Sequence, residues 1–360
     1  MNATCSSNLT FDFSNATVST LPVWLVYQPM EWIKFYILCP SLIIFGSLSQ
    51  ASFVWTVATT PSLHTATYYY LVGLSFSDAF YLLGFGSVRI KGFIESPVRL
   101  YTPSISGVLA SYISKFAFIS SIGFVTLATL ERFLAICFPL KHYVLKGTKR
   151  TRTLIFVMLL ISGLISVVPT LLPLISSLSL RLCFIWPSDT TFMDYPTQII
   201  APSSSNSTGN LGDTVLYFIP LIINSYMYIR ILVTLRNRKL NSQLQLSSGF
   251  EQQLRAVAVM VIVNGIIFFL FCAINTMDEV IESLNSNVVH IFDTRQILIW
   301  NDFVFISILL NASINPLIYT LTNQRYRHAF KKAMMRLCLY KQYSLNQTSM
   351  TQHVDTVSRV

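Results

Sequence analysis

Charge is what this sequence has least of. Asp, Glu, Lys and Arg make up 11% of its 360 residues, against 53% hydrophobic ones. That is less than half the charge of an ordinary soluble domain. A water-facing chain of this length must clothe its surface in polar groups, so the scarcity excludes a single soluble globule. Alternating strands of about ten residues are also missing, and an open sheet leaves its backbone unsatisfied in lipid, so helices remain. The opening residues, MNATCSSNLTFDFSNATVS, hold neither a basic n-region nor an apolar h-region. The first apolar run is therefore expected to serve as its own insertion signal. No His-Glu-x-x-His, paired intramembrane aspartates or nucleophile elbow appears, which argues against an intramembrane enzyme. Nor is there the internal repeat that a secondary transporter predicts.

What is present is a series of seven apolar runs, read as 33–58, 67–90, 104–137, 153–178, 213–235, 256–281 and 296–321. Each is about twenty residues or longer, enough to cross roughly 30 Å of hydrocarbon as a helix. The expected fold is an all-α membrane protein, a seven-transmembrane helix bundle at 33–321. An outer tail at 1–32 precedes it, and an amphipathic stretch at 322–338 and an inner tail at 339–360 follow. Orientation comes from two marks. The segments 137–153, 230–255 and the tail from Thr322 hold five, five and seven of the 25 Lys and Arg, and basic segments stay cytoplasmic. The sequons at Asn2, Asn8, Asn15 and Asn206 fall on the opposite side, where glycans attach. The expectation is a multi-pass plasma-membrane protein with an outer N-terminus, an inner C-terminus and no nucleic-acid partner.

One stretch, TLERFLAICFPLKHY at 129–143, breaks the rule of avoided charge. Arg132 is expensive near the membrane unless paired, and the neighbouring Glu131 is expected to supply a partner. Other marks accompany it: NPLIY at Asn315–Tyr319, LSFSD ending in Asp78, Pro220 and Tyr228 eight residues apart, and Phe269 with Cys272. With Glu131-Arg132-Phe133 these motifs, in this order, resemble the rhodopsin-like family of G-protein-coupled receptors over about Gly46 to Cys338. The resemblance implies a short eighth helix along the membrane, a heterotrimeric G protein as partner, and activation residues Glu131, Arg132, Tyr228, Asn315, Pro316 and Tyr319. It implies that Arg132 is freed on activation to line a cytoplasmic crevice, with Tyr228 and Tyr319 holding the open form. Asp78 beside Ser121, Asn311 and Asn315 resembles the family's sodium pocket; a structural hydrogen-bond hub is the alternative. No other cofactor is expected.

Several positions depart from the pattern. Ser47 stands for the first-span asparagine, so a weaker network around Asp78 is expected. CAIN at Cys272–Asn275 replaces Cys-Trp-x-Pro: Ala273 is too small for an aromatic toggle, and Asn275 imposes no proline kink. Gly107 stands where the third span should offer a cysteine to Cys183. Either Cys5 pairs with Cys183 or that thiol is unpaired. Cys338 is a palmitoylation candidate. The ending VSRV fits a PDZ ligand through Ser358 and Val360, and the hydroxyls of the tail suit arrestin-directed phosphorylation.

For the ligand, Ser114 occupies the site of a monoamine-receptor aspartate and Leu309 that of the opsin lysine, which argues against both classes. Acids outnumber bases in the outer half, with Asp278, Glu279 and Asp302 where spans six and seven open outward. A cationic ligand would be steered and oriented there, although such acids also serve simply to solvate a rim. Lys115 either neutralises a pocket acid or meets a ligand carbonyl or carboxylate. The favoured ligand is a cationic neuropeptide, with RFamide-type receptors the nearest resemblance. The alternative is a receptor that signals without ligand or acts as a partner subunit. Replacing Asn2, Asn8, Asn15 and Asn206 together by Gln should abolish the gel shift that peptide-N-glycosidase produces. Replacing Asn311 or Asn346 should leave that shift unchanged.

Overall fold

The computed structural model describes residues 10–15, 26–27, 31–95, 105–177, 181–185, 198–200, 207–241, 248–287 and 294–336. Seven helices long and apolar enough to cross a membrane appear among them. They are α1 (Ile33–Thr59), α2 (Ala66–Glu95), α3 (Ile105–Cys137), α4 (Thr148–Ser177), α5 (Ser207–Asn241), α6 (Ser248–Asn287) and α7 (Thr294–Thr322). A shorter helix, α8, covers 324–336. Several helices outrun the apolar stretches that announce them. α6 begins eight residues before its expected edge at 256 because the mostly polar segment from Ser248 to Arg255, with Glu251, Gln252, Gln253 and Arg255, continues the helix. Hydropathy marks the part in hydrocarbon, whereas backbone hydrogen bonding carries the helix onward into water.

α3 is the central element. In its membrane-length window 61% of residues are buried, against 17% in α4, which therefore lies at the periphery. α3 packs on α2, α4, α5 and α6, while α1 meets α7 and closes the ring. Large apolar side chains such as Leu48, Phe156, Leu164, Ile222 and Leu270 point outward, the arrangement a lipid solvent selects. α8 turns Tyr326, Ala329 and Ala333 inward and leaves Arg325, Lys331, Lys332 and Arg336 exposed. That is the amphipathic pattern expected at 322–338.

Outside the bundle a small sheet adds to the helical expectation. β1 (Thr10–Asp12) pairs in parallel with β2 (Arg181–Ile185), and β2 pairs antiparallel with β3 (Gln198–Ile200). Thr10 stands opposite Cys183 in this register. Strands of three to five residues are too short to show a period of two in the sequence. Cys5 lies outside the described residues.

The main core joins α1, α2, α3, α6, α7 and α8 around Phe53, Leu71, Leu74, Phe124, Phe268 and Tyr319. Here Gly73 permits close approach of α2 to α3, since a Cβ at this position would stand 2.7 Å from the Phe124 ring. Gly73→Leu should lower the stability of the purified receptor by about 1–3 kcal/mol through overpacking, read as an earlier thermal unfolding midpoint. Gly147→Ala, where a Cβ meets open space, should leave the midpoint in place.

Candidate functional site

Glu131 and Arg132 are both buried near the C-terminal end of α3, yet they form no ion pair with each other among the described residues. Successive helix positions point in different directions. Glu131 instead takes His142 Nε2 at 2.8 Å and Arg150 Nη2 at 3.1 Å, from the inner-loop helix Pro139–Leu145 and the first turn of α4. This corrects the expectation that Glu131 is the partner of Arg132. The Arg132 Nε has no hydrogen-bond partner, and the guanidinium lies within electrostatic reach of the Tyr68 hydroxyl on α2 and of the Glu131 carboxylate, which favours its charge without pairing with it.

A hydrogen-bonded cap extends across this end of the bundle. Asn323, between α7 and α8, donates from Nδ2 to Tyr68 Oη at 3.0 Å and approaches Met260 Sδ of α6 at 3.5 Å. Its Oδ1 accepts the backbone N–H groups of Arg325 at 3.0 Å and Tyr326 at 3.3 Å, capping α8. Arg325 then donates from Nη1 to Gln253 Oε1 at 3.0 Å and from Nη2 to the Ser62 carbonyl at 2.8 Å. One side chain thus ties the loop after α1, the start of α8 and the inner end of α6. Burial raises the pKa of the Tyr326 phenol next to this cap. Beside it, Ile136, Tyr228, Ile231, Leu235, Ala258 and Ile262 seal α3, α5 and α6.

Tyr228 and Tyr319 have separate surroundings. Tyr228 Oη accepts from Thr129 Oγ1 at 3.3 Å, and Gly265 leaves room for that phenol, since a Cβ there would collide with it. Tyr319 packs on Phe53 at 4.9 Å between ring centroids, and its hydroxyl is buried with no hydrogen-bond partner. Pro316 lies within α7, which remains one helix.

Midway along the bundle, Asp78 accepts hydrogen bonds from Ser121 Oγ at 3.0 Å, Asn315 Nδ2 at 2.6 Å and Gln50 Nε2 at 3.3 Å. Gln50 also donates to the Ala312 carbonyl at 2.7 Å. The network is therefore not weakened by Ser47, whose Oγ is buried without a partner; a glutamine three residues later reaches in with its longer side chain. Asn311 contacts Cys272 Sγ at 3.8 Å. Three further oxygens, Gln50 Oε1, Asn311 Oδ1 and Asn315 Oδ1, are buried with no donor. A cavity of about 20 Å³ is lined by Asp78, Ser121, Asn275 and Asn311 among others, so of these three side chains Asn311 borders it directly. It suits one water-sized occupant, and a carboxylate with amide oxygens is a hard-oxygen set that fits Na⁺. Asn275, at the expected proline position, lines this cavity within an unbroken α6.

At the outer end the acids are already engaged. Lys34 of α1 bonds Asp302 of α7 and also lies 3.0 Å from Glu31. Asp278 accepts from Trp300 Nε1 at 2.8 Å. Lys115 Nζ stands 6.0 Å from the centroid of the Phe118 ring, one position from Ser114. Asn15 is exposed in a turn. The side chain of Glu279 and residues Asn2, Asn8, Asn206, Cys338, Ser358 and Val360 lie outside the described residues. The residues that motif reading missed are Gln50, His142, Arg150, Asn323, Arg325 and Lys34. Only the polarity of Gln50 and Lys34 inside apolar runs was a visible signal.

The profile of the family described as 7 transmembrane receptor (rhodopsin family) matches residues 49–319. A thyrotropin-releasing hormone receptor from Bos taurus is 24% identical, covering 89% of this chain and 80% of its own length. Olfactory receptor 4K5 from Homo sapiens is 28% identical over 89% of this chain and 93% of its own length. Olfactory receptor 5P80 from Mus musculus is 26% identical over 89% and 97%. Gln50→Leu should cost about 1–3 kcal/mol, because the bonds to Asp78 and Ala312 are lost inside the bundle. Thermal unfolding checks this, with Ser47→Ala expected to be neutral.

Proposed function

Because the chain belongs to the rhodopsin family of seven-transmembrane receptors, we propose that it binds an extracellular ligand and activates a heterotrimeric G protein. The observation that carries this reading is the sealed inner end. Arg132 forms no ion pair among the described residues and lies near Tyr68, which belongs to a cap whose pieces come from α2, α6 and the α7–α8 junction. A cap held by a few hydrogen bonds is separable by a ligand with differential affinity for the open state. On opening, Arg132 meets the G protein, with Tyr228 and Tyr319 turning toward the vacated crevice and Asn315–Pro316 as the flexing point of α7. Na⁺ held by Asp78, Ser121, Asn311 and Asn315, with Gln50 added, favours the resting arrangement.

The ligand we propose is a cationic neuropeptide of RFamide type. The acids Asp278, Glu279 and Asp302, the outer sheet and the similarity to receptors for thyrotropin-releasing hormone support it. In this reading Lys115 meets a carbonyl or carboxylate of the ligand. The receptor sits in the plasma membrane with its N-terminus outside, glycans on Asn2, Asn8, Asn15 and Asn206, and a lipid on Cys338. Arrestin and a PDZ protein, the latter through Ser358 and Val360, take the inner tail. The similarity to olfactory receptors favours a second reading, a small uncharged ligand.

A calcium and cyclic-nucleotide screen against a neuropeptide panel tests the first reading. Arg132→Ala should abolish any response, and Asp278→Asn should raise the half-maximal concentration about tenfold or more. A response unmoved by Asp278→Asn favours the small-ligand reading, and one that survives Arg132→Ala contradicts the coupling role. Arg325→Ala should raise ligand-free signalling about fivefold, the equivalent of one lost hydrogen bond in the closed state. Unchanged basal signalling would remove Arg325 from the closure.

A further inference from the structure

The engagement of Asp302 by Lys34 is more than a tie between helices. The Lys34 ammonium lies between the carboxylates of Glu31 and Asp302 and over two rings, 4.8 Å from the Phe35 centroid and 5.4 Å from that of Phe305. Phe35 is itself stacked on Phe93 at 4.8 Å, so the walls are fixed by packing. Two carboxylates and aromatic faces are the chemistry that recognises an alkylammonium ion. The two acids also differ in access: the Glu31 side chain is 7% exposed, whereas that of Asp302 is 43% exposed and open to the outer face.

We propose that this is a primary-ammonium site whose resting occupant is the receptor's own Lys34, and that the cationic group of an extracellular ligand replaces Lys34 on Asp302. The proposal deepens the cationic-ligand reading above and rests on it for its physiological meaning. Lys34 stays with the buried Glu31, and the outer end of α1 loses this tie to α7 while the bonds of Ser49 and Gln50 to α7 remain. Lys34 is then a specificity-determining residue: it sets the cation affinity a ligand must exceed, and it excludes neutral ligands, which offer Asp302 no replacement charge. Nothing covalent changes; one ion pair is exchanged for another.

The test uses the full-length receptor purified in lipid nanodiscs, with n-propylammonium chloride as probe and sodium chloride at equal ionic strength as control. Lys34→Ala opens the space of the lysine stem and headgroup. Its unfolding midpoint should fall, and propylammonium should raise it by about 2 °C or more. The double variant Lys34→Ala, Asp302→Asn should show no such rise, and n-propanol should not substitute for the ammonium. Where Lys34→Ala yields no folded receptor, Lys34→Met keeps the stem volume, and methylammonium replaces propylammonium with the same expectations. Equal stabilisation of wild type and both variants, or none in the single variant, would overturn the assignment. Failure of the peptide reading shows instead in the signalling screen, which the thermal shift does not depend on.

Discussion

A guanidinium enclosed by a helix bundle is tolerable only while its surroundings supply polar company, and Arg132 obtains this without a direct ion pair, although the charge of Glu131 acts on it. Breaking or omitting the partner of a buried charge is costly. The chain has nonetheless committed its adjacent acid elsewhere, with Glu131 fastened to His142 and Arg150. What remains for Arg132 is the charge of Glu131 acting at a distance and the Tyr68 hydroxyl, which is itself held by Asn323. This makes the closed inner end conditional on the buried Asn323 and Met260 and on the exposed bonds of Arg325. A closure made of a few discrete contacts suits a two-state device biased from the far side of the membrane.

The two ends of the bundle follow one logic. Outside, a lysine ties α1 to α7; inside, an arginine ties the α1–α2 loop and α8 to α6. Between them lies the Asp78 network, in which four helices meet through Gln50, Ser121 and Asn315. Its three donor-less oxygens and the nearby cavity make the middle of the molecule a region whose polar groups ask for an occupant. A tie at either end is exchanged more cheaply than a core is repacked, since cores have discrete rather than continuous arrangements.

Much of this was legible in the sequence. The seven spans followed from apolar length, and Asp78, Arg132 and the NPLIY residues stood out as polar groups in hydrocarbon. What resisted reading was partner choice. Glu131 precedes Arg132 in the chain, but a helix sends neighbouring side chains apart, so adjacency misled. Gln50 lies one turn from Ser47, and only the helix geometry shows that its longer side chain reaches Asp78. Asn323 and Arg325 follow the last recognisable motif and carry no signature, because their role depends on the turn from α7 into α8. The outer acids were visible as charge, whereas their engagement by Lys34 and Trp300 required contacts between residues far apart in sequence.

The closure over Arg132 is most directly tested by a distance. Spin labels placed at Ser62→Cys and Gln252→Cys, in a background freed of accessible thiols, report the separation of the α1–α2 loop from the inner end of α6. The account predicts a single narrow distribution in the ligand-free receptor and a longer one when a peptide matching the C-terminal helix of a G-protein α-subunit is added. A distribution that stays narrow and unshifted with bound peptide would contradict it.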